Sequence, residues 1–160
     1  MKILGIDPGL NYTGWAVISA SKSSISLIDF GIITPNAKHP TSNRLKQIYE
    51  ILKERIIEYN PDHVAIEETF VNKDPKSALK LGYARGVALM VPSIFDLPVF
   101  EYAPTTIKKT VTGNGHASKE QVEAMIKIVM PKSYNIITEA KDDAVDAIAI
   151  AMCHAYHKRI

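Results

Sequence analysis

Carboxylates stand at three places in this chain where burial is expensive. The apolar run KILGI ends on Asp7, directly before Pro8-Gly9. A second run, VAI, ends on Glu67-Glu68, and Asp142, Asp143 and Asp146 open the stretch DDAVDAIAIAMCHAY. Each acid has an ordinary reading by itself. Asp before Pro-Gly suits a turn, acids in a first helical turn suit the helix dipole, and Glu68 can simply be solvated. Together they point elsewhere. Carboxylates gathered at one edge repel one another and raise each other's pKa, which destabilises the fold unless a cation offsets it. An all-oxygen ligand set suits a hard cation, Mg²⁺ or Mn²⁺. Two such ions about 3.5–4 Å apart can clamp the attacking and leaving oxygens of a phosphodiester. The sequence holds no Cys/His cluster of the zinc kind, no G-x-x-x-x-G-K-[ST] loop and no recognisable Ser, Cys or His nucleophile motif.

The surrounding elements must bring these acids together. KILGID, TGWAVISA and SISLIDFGII read as three strands, the last two joined by the turn SKSS, and predict an antiparallel meander. Residues 41–59 carry Leu45, Ile48, Leu52, Ile56 and Tyr59 at helical spacing, with Thr41 or Ser42 as the expected N-cap. DHVAIEE is a short strand ending in acids. Asp74-Pro75 reads as an N-cap and first-turn proline of a helix to about Met90, which Pro92 should end or kink. Ala78, Leu81 and Ala88 form one stripe on that helix. LPVFEYA is a fifth strand. Helices over about 104–111 and 118–130 follow, split by TGNGHAS, and a last helix spans about Lys141 to His157. A meander followed by β–α–β units predicts an α/β fold with a five-stranded mixed sheet flanked by helices. Sites in such sheets form at the carboxyl ends of strands. If the first and fourth strands are parallel neighbours, Asp7 and one of the two glutamates end at the same edge. Asp143 and Asp146, three apart, share a helix face, and Asp142, four before Asp146, can share it too.

Composition sets outer bounds. The 160 residues suit one domain, 1–160, with a full core. The longest apolar run falls far short of a membrane span, and the start lacks a signal-peptide core because its apolar run stops at Asp7. Cys153, the single cysteine, has no internal disulfide partner and reads as a buried thiol in a reducing cytoplasm. A formal net charge of +2 is too small to imply nucleic acid by itself, so only the placement of basic residues argues for it.

Four blocks in this order carry a resemblance: GIDPGLNYTGWAVI, VAIEETFVNKDPKSALKLGYARGVAL, PVFEYAPTTIKKTVTGNGHASKEQV and DDAVDAIAIAMCHA. Together they resemble the RuvC family of bacterial Holliday-junction resolvases, from Lys2 to about His157. The resemblance implies an RNase H-like fold, a homodimer, and symmetric nicking of four-way DNA junctions with two Mg²⁺ ions per site, which Mn²⁺ can replace. The implied products are a 5′-phosphate and a 3′-hydroxyl, and the implied protein partner is a junction-migrating helicase complex. The family's four metal-binding, catalytic acids fall on Asp7, Glu67, Asp143 and Asp146. Glu68 and Asp142 then become neighbours of the site.

Basic and aromatic residues surround the same blocks. Phe70 stands in a loop with Lys73 and Lys76 nearby, a pairing that suits stacking on an unpaired base beside phosphate. The resemblance places a base-contacting aromatic here. Lys76 and Lys80 lie four apart on one helix face, next to the acidic edge. Lys108 and Lys119 bracket TGNGHAS and match family lysines near the cleavage site, where they can bind phosphate and steady developing charge. Three rivals carry different expectations. A general RNase H-like nuclease of the YqgF kind shares the D-x-G start but not the lysine-rich TGNGHASK block. An actin-like phosphotransferase needs two such domains. A junction-binding module without catalysis has no use for four acids.

Overall fold

The computed structural model describes residues 1–68 and 74–158. Its centre is a five-stranded mixed sheet: β1 (Lys2–Asp7), β2 (Thr13–Ala20), β3 (Ile25–Ile33), β4 (His63–Glu67) and β5 (Val99–Tyr102). The order across the sheet is β3-β2-β1-β4-β5. The meander β1–β2–β3 is antiparallel, while β4 and β5 run parallel to β1. Both parallel strands are reached through helical crossovers, as parallel pairing requires.

Strand periodicity divides the sheet into two faces. Leu4, Ile6, Val17, Val64 and Ile66 pack on one side with α1 (Thr41–Tyr59) and α2 (Pro75–Ile94). Ile3, Ala16, Ile18 and Ala65 pack on the other with α3 (Pro104–Thr112), α4 (Lys119–Val129) and α6 (Asp142–Lys158). Asp7 and Glu67 have the parity of this second set, so both belong to the α6 side.

The helices begin and end for local reasons. Ile48, Leu52 and Ile56 bury the inward stripe of α1. Its N-cap position is Pro40, with no side-chain cap, so the expected cap from Thr41 or Ser42 is not used. At its other end Asn60 turns left-handed, with φ 45°, and donates to the Ile56 carbonyl. Asp74 caps α2 as the sequence predicts, accepting from the Lys76 and Ser77 N–H groups at 3.1 and 3.3 Å. Pro92 neither stops α2 at Met90 nor sits outside it: the helix continues to Ile94. The proline lies in the last turn, where its missing N–H forfeits one bond, and it is buried with Ala88 and Val91. Ala78, Leu81 and Ala88 face inward on α2, half-buried, half-buried and buried. Gly113, at φ 83°, ends α3 by donating to the Lys109 carbonyl at 2.8 Å. Ser118 and Gln121 form a capping box on α4. A 3-10 turn (Pro131–Ser133) and a short α5 (Tyr134–Thr138) then lead to α6. The pattern of the sequence had not separated these two from the loop.

Helix α6 lies on β1 and β2 almost backbone to backbone. A Cβ on Gly5 would stand 2.2 Å from the Ala147 carbonyl oxygen, and one on Gly14 would stand 1.9 Å from the Asp143 carbonyl oxygen. Ala144, Ala147 and Ala151 keep the helix side of this contact equally small. Replacing Gly14 by Ala should therefore lift the start of α6 and destabilise the fold by about 1–3 kcal/mol, the usual scale of overpacking. Denaturant unfolding of G14A checks this; an unchanged midpoint would show that the helix is not held by that approach.

Candidate active site

The acids come together through register. Ile6 pairs with Ile66 across β1 and β4, so Asp7 and Glu67 leave the sheet side by side at its carboxyl edge. Asp7 is also the cross-strand partner of Gly14, the residue over which the Asp143 backbone rests. The contact that seats α6 thus sets Asp143 beside Asp7, and Asp146 follows one helical turn later.

The turn after Asp7 is braced twice. Thr13, fully buried, donates its hydroxyl to the Gly9 carbonyl at 2.6 Å and accepts from the Gly9 N–H at 3.2 Å. A Cβ on Gly9 would lie 2.2 Å from the Tyr12 carbonyl oxygen, so only glycine fits this tight return. Arg44, on α1, donates through Nη2 to the Leu10 carbonyl at 2.8 Å and to Asn11 Oδ1 at 2.7 Å. Pro8-Gly9 therefore turns the chain away at once and leaves the Asp7 carboxylate at the strand end.

Electrostatics reflect this crowding. Burial, then the charges of Glu67, Asp146 and Asp143, push Asp7 up to about 8, against a weaker pull from Lys119. Burial and Asp146 push Glu67 up to about 7, with Lys108 and Lys119 opposing. Asp146 is also raised, by burial first; Lys119 pulls against this, while Asp143 and Asp142 add to it. Among the described residues Lys119 is the cation paired with the cluster, 3.3 Å from Asp146 and 3.5 Å from Asp142. Burial disfavours its charge, but these two carboxylates outweigh that and hold its ammonium above the usual lysine range. Asp142 itself is turned outward, its side chain 78% exposed against 34% for Asp146.

The predicted basic residues divide by position. Lys108 and Lys119 line, with Glu67 and Asp146, a cavity of about 250 Å³ beside the acids. Lys76 is exposed in the first turn of α2. Phe70 and Lys73 lie outside the described residues. His116 is exposed in the turn between α3 and α4. Among the described residues, no three His, Cys, Asp or Glu side chains close around a common point as a preformed metal cage. The donor chemistry still fits a hard divalent ion: carboxylate oxygens only, near enough to raise one another's pKa.

One group escaped the sequence reading. His154 on α6 is fully buried. Its Nε2 lies 2.9 Å from His63 Nδ1 on β4, and its Nδ1 lies 2.8 Å from the Tyr102 hydroxyl on β5. Phe100 stacks against the ring at 4.4 Å. Burial, then the neighbouring His63, Lys158 and His157, lower His154 to about 4, so it stays neutral near pH 7. The network ties the helix that carries Asp146 to the strand that carries Glu67. The signal was a lone histidine on the buried face of AIAIAMCHA.

The family model for crossover junction endodeoxyribonuclease RuvC matches residues 3–154. The chain belongs to the RuvC family. It is 49% identical over 158 residues to RuvC of Methylorubrum extorquens strain PA1, covering 99% of this chain and 82% of that one. It is 46% identical to RuvC of Ehrlichia chaffeensis strain Arkansas, with 99% of both chains covered. The solved structure of T. thermophilus RuvC in complex with Holliday junction substrate superposes with a TM-score of 0.91 at 29% identity, over 99% of this chain and 95% of that one. The yeast mitochondrial resolvase Ydc2, 15% identical with a TM-score of 0.67, shares the fold. The RNase H-like sheet expected from the sequence is the one observed, and the family is one of nucleases.

The raised acids fix a pH dependence. A carboxylate whose folded pKa exceeds its unfolded value favours folding at low pH, and that contribution is lost as pH rises through the folded pKa. His154 and His63, both lowered, act in the opposite sense but only below about 6.5. From pH 6.5 to 8.5 the acids therefore dominate, and the metal-free protein should lose stability. Asp7→Asn should flatten this fall and stabilise the protein at pH 8, on the order of 1–3 kcal/mol. Thermal unfolding in EDTA across that range checks both; a wild-type melting temperature that rises from 6.5 to 8.5 would contradict the burial of these charges.

Proposed function

We propose that this chain resolves four-way DNA junctions by Mg²⁺-dependent paired nicking, leaving 5′-phosphate and 3′-hydroxyl ends. The observation that carries the reading is the group of four acids at one sheet edge, with Asp7 and Glu67 held near 8 and 7, in a chain of the RuvC family. Asp7, Glu67, Asp143 and Asp146 would hold the ions, two per site, with Mn²⁺ as a substitute. When bound, the ions supply activation of water and neutralisation of charge on the leaving 3′ oxygen. The chain's own residues do the rest. Asp7 and Glu67 must give up their protons to become ligands, so neutral or higher pH favours the loaded site. Lys108 and Lys119 line the adjoining cavity and would take the phosphate oxygens. Lys119 pairs with Asp146 in the free protein, and with Asp146 serving as a ligand the lysine ammonium would be available to the phosphate. Lys76 and Lys73 would add phosphate contacts, and Phe70 a stacking contact on an unpaired base.

The reading needs two copies, since paired cuts require a two-fold assembly. Helix α2 offers a surface for it. Leu79, Tyr83, Met90 and Ile94 are all more than 40% exposed along one face. Between them a Cβ on Gly82 or Gly86 would meet nothing within 4 Å, so a second backbone can approach closely. We place the homodimer contact there. The 160-residue chain would act as one nuclease domain, in the cytoplasm, where its single buried Cys153 stays reduced, alongside a junction-migrating helicase complex. Among the described residues no helix is long and apolar enough to cross a membrane.

The test is a synthetic four-way junction incubated with Mg²⁺ or EDTA, both strand pairs read on a denaturing gel. Paired symmetric nicks with Mg²⁺ alone are expected, and Asp7→Asn should lower nicking by at least about 10²–10³-fold, the scale of losing one charge-stabilising group, while junction binding survives. Tight binding without nicks, across several junction sequences and with Mn²⁺ too, would instead favour a non-catalytic junction-binding module.

A further inference from the structure

The acid cluster has two flanks. Glu67 and Asp146 face the cavity lined by Lys108 and Lys119. Asp143 forms part of the wall of a different cavity, of about 380 Å³, on the other flank. That second cavity lies between the β1–β2 turn, the start of α1 and the first turns of α2. Its polar lining includes Asn11, Tyr12, Arg44, Ser77 and Lys80.

The lining is rich in donors. Arg44 and Lys80 are cations, and Arg44 Nε is buried without a hydrogen-bond partner among the described residues. A guanidinium can only donate, so the Asn11 atom that faces Arg44 at 2.7 Å must be its oxygen. That fixes the Asn11 amide orientation and leaves its NH₂ group as the free end. Tyr12 is 48% exposed and carries Lys141 Nζ 6.0 Å from its ring centroid. Two carboxylates face these donors: Asp143, in the wall on the side of the acid cluster, and the capping Asp74, whose carboxyl is lowered chiefly by its hydrogen bonds to Ser77 and Lys76 and also by the nearby charge of Lys80. Ser77 is occupied, since its hydroxyl donates to the capping Asp74. A lysine ammonium, an amide NH₂ and a phenol hydroxyl, with the Arg44 charge behind them, complement the two unesterified oxygens of a phosphodiester.

The build of α2 explains why Lys80 is available. Residues 77, 80, 81, 84, 88 and 91 share one helix face at 3.6-residue periodicity. Further along, Ala84, Ala88 and Val91 of this face are buried against the sheet. At the start of the helix the same face overhangs the sheet edge, so Ser77, Lys80 and Leu81 meet the cavity instead. The exposed apolar side chains Leu79, Tyr83 and Met90 lie on the solvent side of the helix, and Lys80 stands between that side and the inward face.

We propose that this second cavity is a phosphate subsite, holding the backbone of the cut strand on the Asp143 side of the acids, through Lys80, Tyr12 and the Asn11 amide. The inference rests on the junction-nicking reading and adds a direction to it: the strand runs from the Lys108/Lys119 cavity, over the acids, into the Lys80 cavity. Arg44 is a positioning residue here, because its Nη2 already holds the turn that carries Asn11 and Tyr12.

The experiment combines Lys80→Ala with a junction in which single phosphates on either side of the cut are replaced, one at a time, by neutral methylphosphonates. Lys80 is exposed, so K80A should fold, and a circular dichroism melt confirms it. The variant should bind the unmodified junction about 3–10-fold more weakly at low salt, with the slope of log K against log salt reduced by about 1. One methylphosphonate, on one side of the cut only, should weaken wild-type binding by a similar factor and K80A hardly further. K80R should recover most of the loss. Equal affinity and salt slope for K80A and wild type would overturn the subsite, and so would losses that add in full at every phosphate position. Wild-type nicking of the unmodified junction separates the two readings. If wild type nicks and K80A binds normally, the subsite alone falls. If wild type does not nick, the resolvase reading fails and takes the subsite with it.

Discussion

How closely α6 lies on the sheet determines everything at the acidic edge. Helix and strands usually pack through side chains, which hold the backbones well apart. Here Gly5 and Gly14 remove the side chains from the strand side, and Ala144, Ala147 and Ala151 reduce them on the helix side. The Asp143 carbonyl then rests where a Gly14 Cβ would be. An aspartate has a short reach. It meets a strand-end carboxylate across the sheet edge only if its own backbone is brought in. The two glycines supply that approach, and the buried His63–His154–Tyr102 network fixes the far end of the same helix to β4 and β5. One end of α6 is set by the absence of side chains and the other by a satisfied polar contact.

The close approach costs electrostatic energy. Asp7, Glu67 and Asp146 are all driven towards protonation, chiefly by burial and then by neighbouring carboxylates: Glu67, Asp146 and Asp143 for Asp7, Asp146 for Glu67, and Asp143 and Asp142, against the pull of Lys119, for Asp146. Lys119 relieves Asp146 and its exposed neighbour Asp142, but it stands at one side of the cluster. A fold selected for stability alone would place apolar residues at these strand ends. Keeping acids there makes sense only if something of opposite charge spends part of its time among them. This is the physical content of assigning a cation site: the unfavourable term in the free protein is the binding energy available to the ion.

Much of this was legible in the sequence, for physical reasons. Strand parity and the order of elements follow from hydrophobic period, and Asp7 and the VAIEE acids announce themselves by ending apolar runs. Periodicity alone could not choose between Glu67 and Glu68, since both follow the same strand. The structure shows Glu67 sharing the parity of Ala65 on the α6 side, while the Glu68 N–H continues the ladder by donating to the Tyr102 carbonyl. Asp142 and Asp143 were equally open, because the choice depends on how α6 is rotated against the sheet. Pro92, expected to end or kink α2, does not end it at Met90: the helix runs on to Ile94 with the proline buried in its last turn beside Val91. His154 was missed because its partners come from β4 and β5, 91 and 52 residues away.

Helix α2 divides its surroundings in a way that follows from its amphipathicity. Its inward face changes role along its length, from the Lys80 cavity at the start to the sheet core at Ala84, Ala88 and Val91. Its outward face carries Lys76 at the start and then the apolar Leu79, Tyr83, Met90 and Ile94, with Gly82 and Gly86 beside them where another helix can approach. An outward face of this kind is an aggregation hazard on a monomer and an asset on a dimer. If a second copy covers it, the two-fold axis passes near the outer side of α2. A four-way junction presents two equivalent strands related by its own two-fold symmetry. The proposed contact between copies, the direction of the strand through each site and the symmetry of the substrate therefore all constrain the same geometry.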